Sequence, residues 1–73
     1  MLQKAIELAT AALSGITDEN GRPYIEHAMR VMMKMDTEEE KEVAVLHDVV
    51  EDTEMTIRDM ECYGFSRTVL DGV

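Results

Sequence analysis

The sequence predicts a small all-α protein, a bundle of about five helices. Apolar residues recur at three- and four-residue spacing, whereas no segment alternates apolar and polar residues as a strand would. The chain also has a single proline. At 73 residues it has room for one small domain, residues 1–73. A domain of this size buries a marginal core unless a metal, a partner or more chain contributes.

Two amphipathic stripes predict the first two helices, over residues 2–14 and 24–35. Gly15 is expected to stop the first helix, and a polar turn with Asn20-Gly21 at its tightest point follows. Pro23 suits the first turn of the second helix. The residues of that helix expected to face the core are Ile25, Ala28, Met29, Met32 and Met33.

Side-chain caps predict where the remaining helices begin. Thr37 with Glu40 three residues later forms a capping box that opens a helix over 38–50. The core side of this helix is predicted to be Val43, Leu46 and Val50.

A second capping box, Thr56 with Asp59, opens a short helix over 57–63 that Gly64 ends. Ser66 caps a last helix over 67–73.

Composition limits the classes of partner. Sixteen acidic residues against seven basic ones give a net charge of −9, which argues against binding nucleic acid or anionic membrane surfaces. With no signal peptide and no 18-residue apolar run, the chain is predicted to be cytoplasmic. The single Cys62 excludes an internal disulfide and a cysteine metal site, and we expect it to be a buried small hydrophobe.

The stretch 47–52 (HDVVED) contains the strongest functional signal. His47 and Asp48 follow an apolar segment, and buried groups of these types need a partner, for which a divalent cation is suited. His27, in another helix, adds a third donor, so the three could bind Mn²⁺, Fe²⁺ or Zn²⁺. The alternative is a histidine that hydrogen-bonds a carboxylate at the helix end.

Glu51 and Asp52 occur one helical turn after the His-Asp pair. We expect them to lie near the ion but outside its ligands, where a carboxylate can act as general base or acid on a metal-bound water. Their position at the negative end of the helix dipole also favours a nearby cation. The alternative is an ordinary solvated helix terminus.

Two motifs resemble the hydrolase domain of RelA/SpoT homologues, which are HD-superfamily enzymes. The first is G-x-P-Y-I-x-H from Gly21 to His27, and the second is the sequence AVLHDVVEDT at 44–53. The closing residues 70–73 (LDGV) are also similar. The resemblance implies an HD-type helical domain, of which these residues would form roughly the N-terminal half.

The resemblance also implies an activity and a site. Enzymes of this family remove the 3′-pyrophosphate from guanosine tetra- and pentaphosphate, so the implied partner is a nucleotide polyphosphate. His27, His47 and Asp48 would bind the metal, with Mn²⁺ as the family's usual ion, and Glu51 and Asp52 would activate and orient the attacking water. Tyr24 and Ile25 would be structural.

Three features differ from the family pattern. The family's fourth ligand is an Asp on a later helix, which these residues do not include. The turn before Pro-Tyr carries a Gln and a basic pair in the family, but reads ITDE here at 16–19, and the family's Pro after the first His is Ala28. We therefore expect these 73 residues alone to turn over guanosine tetraphosphate slowly or not at all.

Two functional hypotheses follow. The chain is either a metal-dependent phosphohydrolase or a truncated or degenerate half-domain that binds metal or associates without turnover. In either case several helices carry an apolar face in a small chain, which predicts a homo-oligomer.

Overall fold

A computed structural model describes residues 1–73 and contains five α-helices and no strand. The predicted all-α bundle of five helices is therefore confirmed. None of the five combines the length and the apolar character needed to cross a membrane. The helices are α1 (Leu2–Ala12), α2 (Tyr24–Met33), α3 (Glu38–Asp52), α4 (Ile57–Cys62) and α5 (Arg67–Gly72).

Helix α3 is the centre of the bundle. Helices α1, α2 and α5 all pack against it, and α4 packs against α5. Fully buried alanines at Ala5 and Ala9 allow α1 to approach α3 closely. The core side of α3 consists of Val45, Leu46 and Val49, whereas the predicted Val43 and Val50 are half-buried at its edges.

The predicted helix starts are confirmed by hydrogen bonds. At Thr37 the hydroxyl accepts from the backbone N–H of Glu40, whose carboxylate accepts from the Thr37 N–H, and Thr56 with Asp59 repeats the arrangement. The Ser66 hydroxyl accepts from the N–H of Val69. These caps satisfy N–H groups that have no partner inside the helix.

All five helix ends differ from the prediction by one or two residues. Helices α2, α4 and α5 end at Met33, Cys62 and Gly72 rather than at 35, 63 and 73. Helix α1 stops at Ala12, before Gly15, which adopts a positive φ of 82° in the turn. Helix α3 continues to Asp52, two residues beyond the predicted end. It does so because the N–H and the hydroxyl of Thr53 both donate to the carbonyl of Val49, at 3.0 and 2.6 Å.

Two residues expected in the core are exposed. Met33 is 75% exposed, because it follows the buried Met32 and so projects about 100° away around α2. Cys62 is exposed as well, since α4 directs only Met60 into the core. Phe65, which follows α4 in the sequence, is buried instead.

Candidate metal centre

The last two turns of α3 bring imidazole and carboxylate groups together. His47 and Glu51 are four residues apart and share one face of the helix, where His47 Nδ1 lies 3.4 Å from Glu51 Oε2. Asp48 joins them, so that each of the three residues offers one donor atom within 4.8 Å of the others. Nitrogen and oxygen donors in this combination suit Mn²⁺, Fe²⁺ or Zn²⁺.

Asp48 is the most unusual residue of the cluster. It is only 8% exposed, yet the chain contains no fully buried side-chain oxygen that lacks a hydrogen-bond partner. Burial raises the pKa of Asp48, as do the charges of Asp52 and Glu51, while His27 and His47 oppose the shift. Burying a carboxylate is costly unless a positive charge compensates it. The donor set and this largely buried acid therefore fit a divalent cation.

His27 lies across a cavity from the cluster. It is exposed on α2, outside the group of three, but lines a cavity of about 520 Å³ together with His47 and Asp48. The ring of Tyr24 contacts the His27 ring, with their centroids 5.3 Å apart. Of the three predicted ligands, the structure thus groups His47 with Asp48 and leaves His27 on the facing wall.

Glu51 and Asp52 take different positions. The Glu51 carboxylate lies within the cluster, rather than beyond the ligand distance expected from its place in the sequence. Asp52 is the exposed last residue of α3. Burial of the phenol raises the pKa of Tyr24, and the charges of Asp48 and Asp52 raise it further because they disfavour the phenolate.

A second cavity of about 390 Å³ opens on the other side of His27. Its wall is the turn before α2, where Asp18 Oδ1 accepts from the backbone N–H groups of Asn20 and Arg22 at 2.8 and 3.0 Å. The Arg22 N–H bond is the main reason why the pKa of Asp18 is lowered. The cavity is lined by Thr17, Asp18, Glu19, Asn20, Tyr24 and His27, without any lysine or arginine.

The larger cavity includes residues that the sequence did not single out. Val31 of α2 and Met35, just after the end of α2, follow His27 at intervals of four residues, and Thr68 belongs to α5. For Val31 and Met35, the spacing of four residues from His27 was the only feature of the sequence that indicated a place in this cavity. Nothing local indicates Thr68, because α5 reaches the cavity only through its packing on α3.

Comparison with known proteins relates the chain to a group of enzymes. It is 43% identical over 65 residues to the bifunctional (p)ppGpp synthase/hydrolase SpoT of Escherichia coli (strain K12). It has the same identity to the guanosine-3′,5′-bis(diphosphate) 3′-pyrophosphohydrolases of Escherichia coli O157:H7 and Shigella flexneri. Each match covers 82% of this chain but only 9% of the relative. No protein-family model matches the chain.

Proposed function

We propose that this chain is the metal-binding part of a phosphohydrolase of HD type, corresponding to the N-terminal half of the hydrolase domain. Its substrate would be guanosine tetra- or pentaphosphate or a related nucleotide polyphosphate. The observation that carries the proposal is the grouping of the largely buried Asp48 carboxylate with His47 and Glu51. The similarity to pyrophosphohydrolases supports the choice of reaction.

His47 and Asp48 would hold the ion, with His27 as the third ligand from the facing helix. Mn²⁺ is the proposed metal, and Zn²⁺ and Fe²⁺ are alternatives that accept the same donors. A bound divalent ion supplies positive charge that lowers the pKa of a coordinated water and neutralises phosphoryl oxygens. The contact between Tyr24 and His27 supports a structural role for Tyr24, which would orient the imidazole.

The two acidic residues at the end of α3 would handle the water. Glu51 is the better placed to accept its proton, because its carboxylate lies within 4.8 Å of the other donor atoms. Asp52 would orient the water for attack on phosphorus. The bond between the phosphorus and the ribose 3′ oxygen then breaks, the 3′ oxygen gains a proton, and pyrophosphate is released.

A second candidate is a half-domain that binds metal or a partner without turnover. One observation favours it: neither cavity beside the cluster is lined by a lysine or arginine that could bind phosphate. The acidic turn at 16–19 would repel a polyphosphate, and so raise its KM.

The test is release of pyrophosphate from guanosine tetraphosphate in the presence of Mn²⁺. We expect slow release by the 73-residue chain, none by His47→Ala, and an unchanged rate for Asp36→Ala, an exposed acidic residue outside both cavities. Release no faster than from His47→Ala would favour the half-domain without turnover. The predicted homo-oligomer remains a prediction, which light scattering across a range of concentrations checks.

A further inference from the structure

The loop that leads into α2, residues 16–24, is closed by backbone hydrogen bonds, and we call it the entry loop. Its outer bond runs from the N–H of Tyr24 to the carbonyl of Ile16, and its inner bond from the N–H of Asp18 to the carbonyl of Arg22, both at 2.8 Å. An isolated antiparallel β-bridge lies between these two bonds. The two ends of the entry loop are therefore held side by side, and the outer bond reaches the first residue of α2.

Asp18 supplies the hydrogen bonds inside the entry loop. Its carboxylate oxygen Oδ1 accepts from the N–H groups of Asn20 and Arg22, and its carbonyl accepts from the N–H of Gly21 at 3.0 Å. Three successive N–H groups, those of residues 20–22, thus bond to one residue. An aspartate that accepts from the backbone two residues farther along favours a tight turn, and its charge strengthens the bonds. Without the carboxylate, two of the three N–H groups would lose their acceptor.

Gly21 provides the backbone conformation that these hydrogen bonds require. Its φ of 79° lies in the left-handed region, which glycine adopts freely and residues with a Cβ do not. The space around Gly21 is open, since a Cβ built there would have no atom within 4 Å. An alanine at this position would therefore strain the entry loop through its backbone alone, without a steric contact and without a change of charge.

The start of α2 depends on the entry loop, because no side chain caps this helix. Its N-cap residue is Pro23, which makes no capping hydrogen bond, whereas α3, α4 and α5 each begin at a threonine or serine that does. The bond from the Tyr24 N–H to the Ile16 carbonyl takes the place of a cap. His27 follows one helical turn later, and its ring contacts the ring of Tyr24. The geometry of the entry loop is thereby passed on to the imidazole.

We propose that Asp18 is a positioning residue for His27. By holding the entry loop closed, it fixes the first turn of α2 and so the direction in which the His27 imidazole faces the cluster of His47, Asp48 and Glu51. Asp18 does not touch the ion and acts through the backbone. The consequence for metal affinity rests on the proposed function, in which His27 is a ligand, whereas the positioning of the imidazole needs no metal.

The first measurement is made without metal, with EDTA present. Nuclear Overhauser effects (NOEs) between the ring protons of Tyr24 and His27 report their contact, in which the ring centroids are 5.3 Å apart. Asp18→Ala should lose most of this NOE intensity, because the entry loop opens. Asp18→Asn keeps a side-chain oxygen that can accept both bonds, so it should preserve the NOEs. Glu19→Ala removes the same charge from the same turn and leaves the bonds to Asp18 intact, so it should preserve them as well.

The second measurement is the Kd for Mn²⁺, from calorimetric titration of each variant. Asp18→Ala should weaken binding about tenfold, since residues that orient a metal-binding histidine contribute to affinity on this scale. Asp18→Asn and Glu19→Ala should stay within about twofold of the wild type. Gly21→Ala should weaken binding although it changes no charge. In a His27→Ala background, Asp18→Ala should have no further effect, because it acts through that imidazole. Thermal unfolding confirms that each variant is folded.

Three results would overturn the proposal. The first is full retention of the Tyr24–His27 NOEs in Asp18→Ala, since the entry loop would then not position the imidazole. The second is equal weakening of Mn²⁺ binding by Asp18→Ala and Glu19→Ala, which would make charge the cause. The third is equal weakening by Asp18→Ala with and without His27. Failure of the proposed function is a separate result: Mn²⁺ binding unaffected by His47→Ala would remove the metal site, while the metal-free NOEs would still decide the role of Asp18.

Discussion

Gly72 of α5 lies against the side chain of Val43 of α3, so closely that a Cβ on the glycine would be 2.9 Å from Val43 Cγ2. Non-bonded carbon atoms prefer about 3.5–4.0 Å, so no side chain fits at this point. The contact positions α5 on α3 at the edge of the 520 Å³ cavity, whose wall includes Val43 and Thr68.

Gly72→Ala should therefore destabilise the protein by about 1 kcal/mol, because the overpacking cost exceeds the helix propensity gained from alanine. Val43 is β-branched and cannot turn aside cheaply. Chemical denaturation measures the effect, and a double-mutant cycle identifies its cause. In a Val43→Ala background the same glycine substitution should be neutral or stabilising. An equal loss in both backgrounds would mean that the contact is not the reason.

Asp48→Asn should have opposite effects with and without metal. In the metal-free chain at pH 7 it should raise Tm, because it removes a largely buried charge whose desolvation is the main cause of the raised pKa of Asp48. Mn²⁺ at about one hundred times its Kd should stabilise the wild type by about 2.7 kcal/mol, and this gain should disappear in the variant. Glu42→Gln is the control.

Glu42 is equally buried on α3 but outside the cluster, so Glu42→Gln should keep the full response to Mn²⁺. Loss of the Mn²⁺ response in both variants would point to a general effect on folding. An unchanged response in Asp48→Asn would contradict the assignment of Asp48 as a ligand.

His27 and Glu51 compete for the role of third ligand. The sequence favours His27, while the structure groups Glu51 with His47 and Asp48. Small side-chain rotations across an open cavity cost little, so we expect His27→Ala to weaken Mn²⁺ binding more than Glu51→Gln does. Calorimetric titration of Mn²⁺ into each variant measures its Kd and so shows which substitution weakens binding more. The reverse order would make Glu51 the ligand and His27 a residue of the cavity wall.

Glu42 should make stability depend on pH. Burial raises the pKa of Glu42 above its ordinary value of 4.5, and the charges of Glu38 and Glu39 add to the shift, although the amino terminus opposes it. Between pH 4.5 and the raised pKa, the folded chain binds more protons than the unfolded chain, so its stability falls as pH rises through this window.

Glu42→Gln should remove this loss of stability. The free energy of unfolding of the variant should therefore match that of the wild type below the window and exceed it at neutral pH. Denaturation curves recorded across the window provide the measurement. Glu54→Gln, at an exposed position in the turn after α3, serves as the matched control and should follow the wild type. A constant difference between Glu42→Gln and the wild type at every pH would exclude titration of Glu42 as the cause.

The candidate site was predictable where it depends on a single helix. His47 and Glu51 share a face because helical geometry relates residues four apart, and their 3.4 Å contact follows from that spacing alone. The position of His27 depends instead on how α2 packs on α3. A shift of a few ångströms between two helices decides whether its imidazole joins the cluster, and no spacing within one segment encodes that distance.

The sequence by itself determined the helices and where they begin. The caps at Thr37, Thr56 and Ser66 are made by residues three apart, so local hydrogen bonding is sufficient to specify them. Tertiary structure alone decided which apolar residues became core. Cys62 is exposed and Phe65 buried because a helix of six residues can direct only one narrow face at its neighbours, and the packing of α4 on α5 sets that face. The 520 Å³ cavity likewise exists only once residues of separate helices lie side by side.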